Sequence, residues 1–468
     1  MRYLALTLLS ALLILTLTPN PSHAYSRRHL AQLIETKVCI ACDLRGAPLG
    51  GRDLRGGDME DAELRQADFK GAKLEGANFL GANLQQADFR NANLGAANLK
   101  GTDLRQALLP GVYMYRADLE NANVVGASLE RVNLTGGNLR ELEAPETNWT
   151  NATLKGANLT RANFPLANFT NANLETANLT GANLVEANLS QTTLKNANLQ
   201  GTHLGQANLF RTNLKGTQIS SETVLDSKAL LIWEVVNDRL LGRDLVGVDL
   251  SGGRFEGVNF VGSDLTRVDF SGAYLFIVNF QGAILPESQW GEAALQYVDF
   301  NQSDLTAANF TGADIRNSDL RGANLRGASF ANVRFGQTDL RGTDLGLVNL
   351  RGVTFEAGTL VDAKWQLVAD VVNRGAAGRS LQNADLAMAD LAGLSFRDAV
   401  LSGANLRGAN LQGVDFTNAR LGDADLTGAD WAGAILNNTF VCQTTLPDGV
   451  KTRCEYRTLT IPSGGSGE

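Results

Sequence analysis

Ala77-Asn78-Phe79-Leu80-Gly81, Ala82-Asn83-Leu84-Gln85-Gln86 and Ala87-Asp88-Phe89-Arg90-Asn91 follow one another without a gap and share one design. A large apolar residue is the centre of each pentad, a small residue stands two places before it, and Asn or Asp directly precedes it. The two places after the centre are mostly polar or Gly. The phase holds from Leu44 to Ile219 for 36 pentads, from Leu245 to Leu360 for 24, and from Leu381 to Leu436 for 12. Together they occupy 360 of the 468 residues.

That period excludes the regular elements. On an α-helix five residues turn the chain by about 500°, so successive centres drift by about 140° and no apolar face forms. On an unbroken strand side chains alternate faces, and an odd period sends successive centres to opposite sides. The centres share one interior only if the backbone turns a corner in every pentad. The chain is therefore expected to coil around a narrow core, with a large and a small residue pointing inward from each short side. Asn, Asp, Gly, Ser and Thr suit the corners because they bond nearby backbone or tolerate unusual dihedrals.

A small residue, then Asn or Asp, then Leu or Phe, repeated in every pentad, resembles the pentapeptide repeat family. The resemblance implies an all-β solenoid: a right-handed quadrilateral β-helix with four pentads per coil and short α-helical caps or insertions. Spacing alone leaves three sides open, since 36, 24 and 12 divide equally well by three. Four sides make 18 coils of the 72 pentads.

The rest of the chain starts, interrupts or ends this rhythm. Residues 1–24 hold Arg2, an apolar run from Leu4 to Leu17, and Ser22-His23-Ala24, and read as a secretory signal peptide. An uncleaved anchor is the alternative, although the run is short for a bilayer. No later segment is long and apolar enough to span a membrane. Residues 25–43 form an expected N-terminal cap, with Leu30, Leu33 and Ile34 on one helical face and Cys39 and Cys42 after it. This start resembles that of exported cyanobacterial members of the family, which places the protein in a periplasm, a thylakoid lumen or outside the cell. Solenoid blocks are expected over 44–221, 245–360 and 381–438, with helical insertions over 222–244 and 361–380. A C-terminal hairpin cap and flexible tail are expected over 439–468.

The two insertions share a template at a constant offset: Leu225-Asp226-Ser227-Lys228 matches Val361-Asp362-Ala363-Lys364, and Val235-Val236-Asn237 matches Val371-Val372-Asn373. Their helices are expected to cap the blocks, let the solenoid bend, or project from one side of it. As the best non-repeat surface, Trp233, Asn237, Trp365 and Asn373 are candidate interaction residues. Trp149 and Trp290, inside the repeat, read as local packing features.

The four cysteines are candidates for disulfides. Cys442 and Cys454 flank a Pro447-Asp448-Gly449 turn signal and are positioned to staple it in an oxidising compartment. Cys39 and Cys42 have the spacing of a thiol-disulfide exchange motif, and equally of a structural bridge.

Formal charge is −8, and losing residues 1–24 removes only Arg2, giving −9. Both signs are interspersed, without the basic stripe that nucleic-acid binding needs. Beyond residue 24 only His29 and His203 remain, neither with metal-ligand or triad partners beside it. The aspartates are periodic, so no pair stands out as acid and base. No catalytic residue, cofactor site or metal site is expected. The first reading is an exported, non-enzymatic structural or interaction scaffold with an unidentified protein or envelope partner. Family members that inhibit type II topoisomerases as acidic DNA mimics supply one alternative, and redox work by Cys39 and Cys42 another. Members often dimerise end to end, so a homodimer stays open, although a capping helix and a hairpin at the ends oppose it.

Overall fold

The computed structural model describes residues 25–239, 244–458 and 461. The expected signal peptide, residues 1–24, lies outside them. The chain packs as two compact units, one reaching to Asn173 and including Ala177–Val185, the other formed by Leu174–Thr176 and Glu186 onward.

In both units parallel β-bridges join positions four pentads apart, as in Asn78↔Asn98 and Asp385↔Asn405, so each coil has four sides. This settles the choice that spacing left open. Within a pentad the small residue and the centre point inward while the Asn or Asp between them faces out: Ala77 and Phe79 are fully buried and Asn78 is half-exposed. Each corner is a four-residue turn closed by the next small residue, as where the Ala82 N–H donates to Phe79 O at 2.9 Å. The residue before it has a positive φ, 67° at Gly81, 58° at Gln86 and 62° at Asn91. That explains why Gly and long or polar side chains fill this corner position.

The residue before the centre does two jobs. The Asn78 side-chain oxygen accepts the corner N–H of Leu80 at 3.2 Å, and its amide donates to Asp58 in the preceding coil at 2.9 Å. Asn98 repeats the link to Asn78 at 2.8 Å. Asp has no amide to donate, and where it stands here an Arg two places on often supplies the donor, as in Asp88–Arg90 and Asp319–Arg321. Where Asn stands, Thr commonly takes that place, and the Thr160 hydroxyl donates to Asn158 at 2.6 Å.

The first unit opens with α1 (Arg27–Thr36), capped by Ser26, which buries Leu33. Its stacked aromatic centres include Phe69 and Phe89, 4.8 Å apart, about one coil spacing. Trp149 is fully buried and donates its indole N–H to Thr147 at 2.7 Å.

The second unit carries α2 (Ser227–Val236) and α3 (Ala363–Arg374). Between them runs a six-stranded parallel sheet on one side of the coil: β1 (Arg254–Glu256), β2 (Tyr274–Phe276), β3 (Ala294–Gln296), β4 (Asp314–Arg316), β5 (Arg334–Gly336) and β6 (Thr354–Phe355). Behind it Phe260, Phe280 and Phe300 stack at 5.0 and 5.1 Å, and Trp290 is fully buried with its N–H on Ser288. An antiparallel pair, β7 (Thr439–Val441) and β8 (Glu455–Arg457), lies at the C-terminal end.

Neither helix breaks the stacking of this unit. The Arg211 N–H donates to Gly252 O at 2.5 Å and the Leu347 N–H to Met388 O at 2.6 Å, each joining the coil before a helix to the coil after it. Those partners stand about twice as far apart in the chain as ordinary coil neighbours do, so each helix is an excursion, about one coil in length, from a coil that continues. Of the three roles open in the sequence, projection from one side is the one observed within this unit.

Candidate interaction surface

The two excursions are fastened by matching bonds. Asn237 accepts the Gly216 N–H at 2.6 Å and donates to Leu214 O at 3.2 Å; Asn373 accepts from Gly352 at 2.5 Å and donates to Leu350 O at 3.1 Å. Lys215 donates to Glu256 O at 2.7 Å, and Arg351 donates to Ala392 O in the same relation. At the other end of the helices Lys228 pairs with Asp249 at 3.0 Å and Lys364 with Asp385 at 3.7 Å. All these pairs keep the offset that separates Asp226 from Asp362.

The four candidate residues on the helices therefore divide. Asn237 and Asn373 are structural ties, their amides occupied by backbone groups of the coil beneath. Trp365 is 6% exposed and presents no surface, which corrects its place in the candidate set. Trp233 is half-buried, donates its N–H to the Thr217 hydroxyl at 2.9 Å, and lies under the Arg239 guanidinium at 5.7 Å. With Gln200, Gln218 and Ile219 it lines a cleft of about 390 Å³. Moreover Trp233 and Trp365 are not equivalent positions: the template matches Trp233 to Ala369 and Ala229 to Trp365.

The cysteines are paired in the structure, Cys39 with Cys42 and Cys442 with Cys454. Cys39 is fully buried, its sulfur 3.3 Å from the His29 carbonyl of α1, and Cys42 is 4% exposed. His29 holds this cap down, its Nδ1 accepting the Asp43 N–H at 3.0 Å. His203 is exposed in a repeat position. Among the described residues no group of His, Cys, Asp and Glu is arranged to hold a metal, and no helix is long and apolar enough to cross a membrane.

A surface that the sequence reading passed over lies on the outward face of β2 and β3. Leu275 points inward, which sends Tyr274 and Phe276 outward side by side, their rings nearly parallel at 6.5 Å. Phe276 meets the edge of Tyr297 at 5.7 Å. The Arg254 guanidinium covers Tyr274 at 4.7 Å, and the next coil sets the small Ala294 opposite Tyr274, so that Tyr274 and Phe276 are half-buried. Two corner residues complete the patch: Ile277, 57% exposed, and Tyr297, 54% exposed. Both have positive φ, 55° and 56°. For a β-branched residue that is a strained backbone, costing on the order of 1–2 kcal/mol. The signal was available in the sequence as Phe276-Ile277, two large apolar residues following a centre where polar residues or Gly usually stand.

Electrostatics elsewhere on the coil surfaces are local. Asp88 is held at about 2 chiefly by its hydrogen bond from Arg90, and Arg321 likewise holds Asp319 below the ordinary carboxylate value. These are neutralised corner pairs, with charges that cancel within a few ångströms.

Residues 42–144, 147–184, 187–221, 244–356 and 380–418 match the family model described as pentapeptide repeats. No curated protein matches the chain. Among solved structures, HetL, a pentapeptide repeat protein involved in heterocyst differentiation regulation from the cyanobacterium Nostoc, is 20% identical, covering 77% of this chain and 92% of its own, with a TM-score of 0.15. QnrB1, a plasmid-mediated fluoroquinolone resistance protein, is 19% identical over 39% of this chain and 91% of its own, with a TM-score of 0.21. A pentapeptide repeat protein of the Arabidopsis thaliana thylakoid lumen is 35% identical over 21% of this chain and 69% of its own, with a TM-score of 0.13.

Proposed function

The chain belongs to the pentapeptide repeat family, and on that premise we propose that it is an exported, non-enzymatic scaffold that binds a protein partner in the cell envelope or thylakoid lumen. The observation that carries this reading is the aromatic patch of Tyr274, Phe276, Ile277 and Tyr297. Ile277 and Tyr297 are exposed beside half-buried Tyr274 and Phe276; contiguous apolar surface marks interaction sites, and Tyr and Phe are enriched in interface cores. Ile277 adds a second reason. An exposed Ile in a left-handed corner lowers stability twice over, by backbone strain and by apolar exposure, and neighbouring corners with Gly or Asn show the stable solution. Its presence fits a residue kept for what it touches.

The solenoid supplies what such a surface needs. Within the second unit the strands beneath the patch are tied coil to coil by parallel pairing and by stacked centres, so the patch is displayed on a stiff sheet and little ordering is required on binding. The signal-like residues 1–24 support export. The paired cysteines agree with an oxidising compartment.

In-cell crosslinking of the tagged native protein, comparing wild type with Ile277→Asn and Tyr297→Ser, tests the proposal. A reproducible protein partner captured by wild type and lost from both variants is the expected result. Capture of nothing but the chain itself, or capture unaffected by both substitutions, would overturn it. Purified Ile277→Asn should also unfold at a higher temperature than wild type, by relief of about 1 kcal/mol or more of backbone strain. An unchanged or lower melting temperature would remove the strain argument.

A further inference from the structure

We infer that the recess between α2 and the coil it leaves is a binding site for an indole-sized aromatic side chain carried by a partner protein, an inference that rests on the scaffold reading above. The recess has a volume of about 270 Å³ and is lined by Phe210, Lys228, Ala229, Ile232, Ser251 and Gly252, among others. For scale, a dry apolar cavity of about 150 Å³ is enough to hold benzene.

The chain itself shows what suits this place. α2 and α3 are fastened by the same bonds at the same offset, so Ala229 and Trp365 stand at equivalent points on equivalent helices. Trp365 is 6% exposed, so α3 buries an indole at the helix position where α2 has Ala229; Gly346 and Met388 stand there at the counterparts of Phe210 and Gly252. α2 has a tryptophan of its own, but one turn later, and Trp233 lines the separate cleft beside Thr217 and is held there by its N–H.

Charge complements the missing ring. Beside α3 the Lys364 ammonium lies 4.6 Å from the centre of the Trp365 ring, a cation over an electron-rich face. Lys228 is the equivalent residue beside α2, and it is held at the recess by Ser251 at 2.6 Å and Asp249 at 3.0 Å. Its ammonium is in place for a ring that this chain does not provide. The Phe210 ring, 41% exposed, lies across the corner at Gly252 and forms an aromatic wall. The residue at the equivalent helix position is a tryptophan carried on a backbone, and the recess lined by Phe210, Lys228 and Ile232 is offered to one presented in the same way.

The test uses the full chain and N-acetyl-L-tryptophanamide as probe, followed by ligand-detected NMR titration, with N-acetyl-L-leucinamide and free indole for comparison. Saturable binding of the capped tryptophan, at least tenfold tighter than the capped leucine and at least tenfold weaker in Ala229→Trp, is expected. Phe210→Ala, a change at a surface position, should weaken binding at least threefold and serves if Ala229→Trp does not fold. No saturable binding, equal binding of the leucine probe, or binding insensitive to both substitutions overturns the inference. So does binding of free indole without the capped amino acid, which would point to a small molecule. A chain that captures a partner in cells yet ignores the probe sinks this inference alone. A chain that binds the probe and captures no protein sinks the scaffold reading, and the partner-borne occupant with it.

Discussion

The two helical excursions of the second unit are the same device built twice. Each leaves the coil through a one-residue register shift, His203↔Val224 before α2 and Asp339↔Leu360 before α3, where neighbouring bridges keep to four whole pentads. Each is tied down by an Asn, a cation on a carbonyl and a Lys–Asp pair. They differ in where the tryptophan stands. α3 places it at the helix start and buries it, whereas α2 places it one turn later and leaves a recess behind Ala229. Matching ties at Asn237 and Asn373, Lys215 and Arg351, and Lys228 and Lys364, with a different residue at Ala229 and Trp365, suit a division in which the ties position the helix and the filling varies.

The largest test of that comparison is Trp365→Ala, which gives α3 the small residue of α2. Loss of a buried indole should cost about 3–5 kcal/mol in urea unfolding. A loss below about 1 kcal/mol would mean that the ring fills little. The ties come next. Asn237→Ala and Asn373→Ala each remove bonds to a backbone N–H and a backbone carbonyl, and each should cost about 1–3 kcal/mol. Equal losses support one shared device, and a loss at only one position would split the template. Lys228→Ala and Lys364→Ala remove partly exposed ion pairs and should change stability by less than about 1 kcal/mol.

Acid provides a control that should leave the comparison untouched. Asp88, in the first unit, is held at about 2 when folded, against about 3.9 for an unperturbed Asp. Because the folded value is the lower one, the stabilisation from its pair with Arg90 is complete above about pH 4 and is lost as pH falls towards 2. Thermal melts should therefore fall over that interval in wild type and in the tryptophan and asparagine variants alike. A difference between variants that grows in acid would show that the helix ties titrate too.

Much of this was legible in the residues. The pentad phase named the inward positions, and Asp226-Ser227-Lys228 with its counterpart Asp362-Ala363-Lys364 located both helices. Asn237 and Asn373 stood out as a pair; Asn373 is exposed and Asn237 half-buried, and both also tie their helices to the coil, a role the pattern did not show. Trp233 and Trp365 were paired because both are tryptophans, when the shared template assigns Ala229 to Trp365. The aromatic patch was missed because Tyr274 and Phe276 flank a centre and Tyr297 lies a coil away. Their meeting depends on which residues fall one full coil apart, and hence on the number of sides.

The residues alone require the backbone to turn once in every pentad, because no straight element can gather apolar residues of odd period onto one side. They also determine which residue of each pentad faces the core. That four pentads close a coil came from the fold, since period fixes the corner spacing and hydrogen-bond partners fix the count. The fold likewise decided that both helices leave a coil that continues beneath them, and that Trp365 is buried while a recess lies beside Ala229. Those are facts about residues brought together across one or two coil lengths of chain, and a local pattern does not contain them.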